Sequence, residues 1–181
     1  MYNSTMIITA GIYKGRKVVT PDEKIVRPTL SKIRESIFST LFSMIDFEGK
    51  SFLDVFAGSG IMGLEALSRG FLTVVAMEKN PKVAKVLKEN YVNLDITPNL
   101  LFGDSLKLLP HITRKFDVIY MDPPYFSGIY EECLKKIKES SVLNEGGIVI
   151  LEHSQEVNWQ DLGFELIKQK KYADKFITFL K

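Results

Sequence analysis

The chain has almost none of the residues from which metal centres and disulfide scaffolds are built. One cysteine, Cys133, and two histidines, His111 and His153, stand among its 181 residues. A single thiol excludes an internal disulfide, and this donor set is too small for a zinc site, so no metal is expected. No apolar run approaches the roughly 18 residues that a membrane span needs, so no membrane partner is expected. The first residues lack a basic stretch followed by an apolar one; a secretory leader is not expected, and a cytoplasmic location is the default. Low-complexity tracts and internal repeats are also missing.

What is present is an ordinary globular composition, 45% hydrophobic and 25% charged, enough for one core plus a short extension. Formal net charge is only +2, but it is unevenly placed. Residues 1–34 carry seven basic side chains (Lys14, Arg16, Lys17, Lys24, Arg27, Lys32 and Arg34) against Asp22 and Glu23, a net of +5 that leaves −3 for the rest. A basic arm on a slightly acidic body suits a polyanionic partner. A solvated charge cluster would look the same.

Met6–Ala10 and Arg16–Thr20 read as extended pieces with Gly11 and Gly15 between them, a hairpin. Pro21 and Pro28 end that stretch. An amphipathic helix follows, with Thr29 or Ser31 as N-cap and Ile33, Ile37, Leu41 and Met44 along one face. From residue 51 short apolar strands (51–56, 73–77, 99–102, 116–121 and 147–151) alternate with helical patterns at 61–69, 81–93, 105–110 and 129–140. Strands apolar along their whole length belong to a sheet covered on both faces. Alternation with helices predicts an α/β, doubly wound, Rossmann-like and mostly parallel sheet. Residues 164–172 and 175–180 are separated only by Ala173-Asp174, so they form an antiparallel C-terminal hairpin at one edge. This gives an extension of residues 1–48 and a catalytic domain of residues 49–181.

The segment Phe52-Leu-Asp-Val-Phe-Ala-Gly-Ser-Gly-Ile-Met-Gly63 runs from a strand into a glycine-rich turn that opens a helix. In a doubly wound sheet, ligands bind beyond such strand ends. Gly58, Gly60 and Gly63 also satisfy the dinucleotide pattern, and Glu78 at the next strand end would serve the ribose of either cofactor. Two carboxylates favour S-adenosylmethionine. Asp54 lies inside the first strand, where it would repel a pyrophosphate but suits a cationic methionine end. Asp104, after Gly103 at the third strand end, could hold an adenine amino group. Phe56, Ala57, Lys79 and Ser105 complete the expected cofactor contacts. Each acid taken singly could equally be a helix cap or a loop charge.

Phe116-Asp-Val-Ile-Tyr-Met-Asp-Pro-Pro-Tyr125 carries the chemistry. An exocyclic amine is a poor nucleophile because its lone pair is delocalised into the base. Hydrogen bonds from its N–H groups to the Asp122 carboxylate and the Pro123 carbonyl would draw the nitrogen toward sp³ character. Two successive prolines fix the carbonyl direction. Tyr125 offers a stacking face worth about 1–3 kcal/mol. Positioning supplies most of the rate, and the base must be unpaired or flipped. The bland reading, a rigid Pro-Pro turn, leaves the acid and the aromatic unexplained.

With these motifs in place the chain resembles the 16S ribosomal RNA guanine-N2 methyltransferases of the RsmD type. The matching segments are Ile8–Lys17, Arg27-Pro-Thr29, Ile33–Phe38, Leu53–Gly60, Gly63–Arg69, Glu78 and Asp122–Tyr125. The resemblance implies a class I fold and S-adenosylmethionine bound by Gly58, Gly60, Glu78 and Asp104. It further implies a guanine held by Asp122, Pro123 and Tyr125, and Arg27 and Arg34 binding RNA or shaping the pocket. The implied partner is 16S ribosomal RNA within an assembled small subunit. Thr9-Ala10-Gly11 departs from the glycine pair usual there. An N6-adenine methyltransferase could share the tetrapeptide, but only 68 positions separate Asp54 from Asp122, which leaves no target-reading insertion. A nicotinamide-dependent reductase would fit the glycine pattern, and a silent RNA-binding protein would fit the basic arm; neither uses the Asp122–Tyr125 corner. His153 reads as a loop residue and Cys133 as a partly buried one. Phe126 and Tyr130 read equally as a lid or as core.

Overall fold

Because its strands are apolar on both faces, the sheet must be covered twice, and helices do this from both sides. The computed structural model describes residues 4–21, 31–124 and 129–181. In chain order the elements are β1 (Ser4–Ile7), β2 (Lys17–Thr20), α1 (Ser31–Phe42), β3 (Ser51–Asp54), α2 (Ile61–Ser68), β4 (Thr73–Glu78) and α3 (Pro81–Val92). There follow β5 (Leu100–Phe102), α4 (Ser105–Leu108), β6 (Phe116–Met121), α5 (Tyr130–Glu139), β7 (Leu143–His153), β8 (Leu166–Tyr172) and β9 (Lys175–Leu180). The seven strands from β3 onward form one sheet in the order β5-β4-β3-β6-β7-β9-β8. The first five of that order run parallel, and β9 and β8 close the end antiparallel. This is the expected doubly wound, mostly parallel α/β architecture, and β8–β9 is the expected edge hairpin.

Local chemistry sets the helix starts. The Asn80 side chain accepts from the amides of Lys82 (3.0 Å) and Val83 (3.4 Å), with Pro81 in the first turn of α3. Val83, Ala84, Leu87 and Tyr91 then recur at helical spacing and are buried. One core layer joins α1, α2 and α3 to the sheet, with Phe38 stacked on Phe52 and Phe47 on Phe71. The opposite layer packs α5 through Cys133, Leu134 and Ile137. Cys133 is fully buried, and burial pushes its thiol up to about 12.

Three expectations change in detail. The first hairpin pairs only Ser4–Ile7 with Lys17–Thr20 and forms a separate two-stranded sheet. Thr9 leaves the ladder because its amide donates to Glu65 on α2 at 2.8 Å. β7 is longer than expected: it begins at Leu143, and its register with β6 shifts between Phe116 and Val118, where Gly146 has a φ of +71°. His153 is the last residue of β7 rather than a loop residue, buried and bonded to Thr178 Oγ1 (2.8 Å) and the Gln155 carbonyl (2.7 Å). Among the described residues no helix is long and apolar enough to cross a membrane.

Candidate active site

β3 is hydrogen-bonded to β4 on one side and β6 on the other, so the chain changes direction across the sheet at its carboxyl end. In open α/β sheets that switch point is where ligands sit. Asp54 ends β3, Glu78 ends β4, Asp104 lies two residues beyond β5, and Asp122 follows β6 directly. The four carboxylates that the spacing selects therefore share one edge.

The glycine turn is shaped by what packs beneath it. Gly60 has a φ of +82°, and a Cβ there would lie 2.8 Å from the Tyr91 ring. A Cβ on Gly63 would come within 2.3 Å of the Tyr91 hydroxyl. Gly60 therefore answers a left-handed turn and Gly63 a close helix contact. The turn is tied down by Glu78, whose Oε2 accepts from the Gly58 amide (3.0 Å) and Oε1 from the Asn80 amide (2.7 Å). Burial pushes the Glu78 carboxyl upward, and these backbone bonds oppose the shift. Each oxygen keeps a lone pair for a further donor.

Asp54 is the anomaly of the site. It is 1% exposed, and neither carboxylate oxygen reaches a hydrogen-bond partner among the described residues. Burial pushes its carboxyl up to about 8, and the neighbouring carboxylates of Asp122 and Glu78 add to the rise. A buried, uncompensated carboxylate is costly unless a cation or donor meets it. The sulfonium and ammonium of S-adenosylmethionine fit this demand, and a pyrophosphate does not.

The Asp54 carboxyl also ties stability to pH. Its pKa in the fold lies far above the usual carboxylate value of about 3.9, so its contribution is intact below about pH 4 and is lost as pH rises toward 8. Asp54→Asn should therefore flatten the fall in stability across that window, by up to about 1.4 kcal/mol per pH unit. Urea unfolding of both proteins at pH 5, 6.5 and 8 reads this directly; parallel curves would contradict it.

The remaining expected contacts divide. Gly103 has a φ of +147°, and its amide donates to the Glu78 carbonyl at 3.1 Å. Asp104 is half-buried and caps α4 by accepting from the Leu106 amide (3.0 Å), so its cap reading holds, with one oxygen left over. The Ser105 hydroxyl is buried against the Val55 carbonyl (2.6 Å) and is not directed at a ligand. The Ala57 amide is bonded to the Met77 carbonyl, Phe56 is partly exposed, and the Lys79 side chain is exposed. Asp122 is half-buried, Pro123 buried and Pro124 exposed. Tyr125 and Phe126 lie outside the described residues. Tyr130 is core: it is 5% exposed, and its hydroxyl donates to the Glu152 carbonyl at 3.2 Å.

One group of residues beside Asp122 carries no signal in the sequence. Glu152 continues β7 one step past the Met121↔Leu151 pair, in the row of Asp122. Its buried carboxylate accepts from the Tyr120 hydroxyl (2.9 Å) and from the Lys175 ammonium of β9. Nothing about a lysine next to a hairpin turn foretells that it is 7% exposed.

The expected RNA contacts also divide. Lys14, Arg16 and Lys17 are exposed, and an Arg16 guanidinium N–H reaches the Asn93 carbonyl at 2.9 Å. The loop before them is anchored to Ser68, at the far end of α2 from the glycine turn. Arg27 lies outside the described residues. Arg34 corrects the expectation of an RNA contact. It is fully buried in α1, donating to the Ile7 carbonyl (2.8 Å) and paired with Glu65 (3.5 Å). Desolvation lowers its pKa and Glu65 opposes that shift. Its charge holds the extension on the body.

Comparison with known proteins agrees with this geometry. Residues 6–181 match the family described as "Conserved hypothetical protein 95". The chain is 32% identical over 157 residues to the "Ribosomal RNA small subunit methyltransferase D" of Buchnera aphidicola (84% of this chain, 80% of that one). To the Escherichia coli K12 protein of the same name it is 29% identical over 150 residues, covering 82% and 75%. A solved structure from Thermus thermophilus, hypothetical protein TTHA0928, superposes with a TM-score of 0.81 at 26% identity, over 96% of this chain and 98% of that one. The fold, the switch-point carboxylates and these matches together place the chain in the Conserved hypothetical protein 95 family, the RsmD-type class I methyltransferases.

Proposed function

We propose that the protein transfers a methyl group from S-adenosylmethionine to the exocyclic N2 amine of a guanine in 16S ribosomal RNA of the small ribosomal subunit. The observation that carries this reading is Asp122, half-buried directly after β6, the strand that lies beside β3 and its terminal Asp54. The relatives' names support ribosomal RNA as the substrate class. An RNA of the small subunit also suits an exposed basic hairpin, and such a partner sets the work in the cytoplasm.

The donor, when bound, supplies an electrophilic methyl on a sulfonium. Asp54 faces its cationic methionine end, and the free lone pairs of Glu78 accept from the ribose hydroxyls. Gly58, Gly60 and Gly103 give the turns their positive φ, which sets the backbone path around the donor, and Asp104 accepts from the adenine amine. Asp122 and the Pro123 carbonyl take the two N–H bonds of the target amine and aim its lone pair along the line of transfer. Transfer would exchange the donor's carbon–sulfur bond for a carbon–nitrogen bond and leave the amine cationic. Asp122 is placed to hold the proton it then loses. Tyr125 is proposed, from sequence alone, to stack on the base.

The test is methylation of small subunits isolated from a strain lacking the gene. With the purified protein and isotopically labelled donor, nucleoside mass spectrometry should find the label in N2-methylguanosine. Label in N6-methyladenosine would move the substrate to adenine. No transfer to subunits or to free 16S RNA would overturn the reading.

A further inference from the structure

Asn90 joins two parts of the molecule that the reaction uses separately. It sits on α3, is 2% exposed, and uses its whole amide. Its Oδ1 accepts from the Val19 amide at 2.9 Å, and its Nδ2 donates to the Val19 carbonyl at 2.8 Å. The second Nδ2 hydrogen goes to the Ser59 carbonyl at 2.9 Å. Val19 belongs to β2, and its two backbone groups point away from Thr5, its partner in the hairpin. The Asn90 amide thus substitutes for a neighbouring strand on the outer edge of β2.

Ser59 is the buried residue between Gly58 and Gly60 in the glycine turn, which Glu78 holds from the other side through the Gly58 amide. A planar side chain with one acceptor and two donors, all engaged, leaves little freedom to shift one partner without the other. Thr20 and Pro21 follow Val19 and lead into the segment that carries Arg27.

We infer that Asn90 is a positioning residue that makes seating of the N-terminal hairpin and ordering of the donor turn one event, so that donor binding and hairpin order reinforce each other. This rests on the glycine turn being the donor site. Such coupling is reciprocal: whatever orders the hairpin, RNA included, tightens donor binding by the same factor.

The experiment uses the full chain with S-adenosylhomocysteine as the probe, read by titration and by hydrogen exchange. In the unaltered protein the probe should protect the amides of residues 58–60 and also those of residues 18–20. In Asn90→Ala, where a water can serve the freed groups, protection should remain at the turn and vanish from the hairpin. The dissociation constant should rise on the order of tenfold, a typical coupling factor. Val19→Pro removes the hairpin's donor, and its ring also fixes the backbone of β2 there, so it should weaken probe binding at least as much, with no further loss when combined with Asn90→Ala. Persistent hairpin protection in Asn90→Ala, or multiplying effects in the double variant, would overturn the coupling. If Asn90→Ala fails to fold, Val19→Pro alone decides, because an unchanged dissociation constant refutes the link. Failure of the unaltered protein to bind the probe would instead refute the donor site itself.

Discussion

Asp122→Ala should reduce methyl transfer by at least about a hundredfold while leaving the dissociation constant for S-adenosylmethionine within about twofold. Removing one preorganised hydrogen-bonding group at a reacting centre costs on the order of 10²–10³ in rate. In the proposed mechanism the same group also holds the released proton. The expected selectivity follows from position. Asp122 stands at the end of β6, whereas the groups expected to hold the donor close β3, β4 and β5. Single-turnover transfer and calorimetric titration on the same preparation separate the two effects. Asp122→Asn should fall between, because its amide oxygen can still accept one N–H while its NH₂ cannot take the proton. Near-normal turnover of Asp122→Ala would end the proposed mechanism. A parallel loss of donor affinity would make Asp122 a donor ligand instead.

The largest expected stability effect lies away from the chemistry, at Glu65. This carboxylate is 0% exposed on α2. It accepts from the amide and hydroxyl of Thr9 (2.8 Å each), from Arg69 (3.2 Å) and from Arg34 (3.5 Å). Arg69 also donates to the Thr9 hydroxyl (2.8 Å) and lies 4.9 Å over the Phe38 ring. Glu65→Ala would remove the buried carboxylate that pairs with Arg34 and Arg69 and accepts from Thr9, and breaking a buried pair of this kind costs about 3–5 kcal/mol. For a chain of this length that lowers the melting temperature by roughly 10 °C or more. The loss should concentrate where the hairpin meets α2, so limited proteolysis should cut the first 20 residues before the body. Arg34→Met, which removes the charge together with its need for a partner, should recover part of the loss in the Glu65→Ala background. Equal melting temperatures for Glu65→Ala and the unaltered protein would show that the network holds nothing in place.

The parts of the molecule that are legible in the sequence depend on short-range pattern. The apolar run 116–121 marks its strand to the residue, and the pattern at 81–93 ends within one position of the helix, because prolines or glycines flank both. The strand–glycine–helix junction after Asp54 is legible because the backbone there admits few conformations. The illegible parts depend on partners far apart in the chain. Arg34 looks like its basic neighbours until Glu65, 31 positions on, is seen to bury it. Asn90 carries no motif, and its meaning lies with Val19, 71 positions away. Lys175 and Glu152 belong to no motif, and only the placement of β9 beside β7 brings them together. Ser105 sits where the pattern puts it but turns its hydroxyl inward, since pattern locates a residue without aiming its side chain.

The order of the sheet has one more consequence, for the behaviour of many copies at high concentration. An open sheet leaves two outer strands with unpaired backbone groups, a template for association between molecules. On one side that strand is β5, only three residues long. On the other it is β8, which carries Lys168 and Lys170 on one face and Lys171 on the other, with Lys170 also bridging to Thr40 of α1 (2.6 Å). A second molecule adding itself there would set ammonium against ammonium. Brevity at one border and like charge at the other both disfavour edge-to-edge growth of an open architecture.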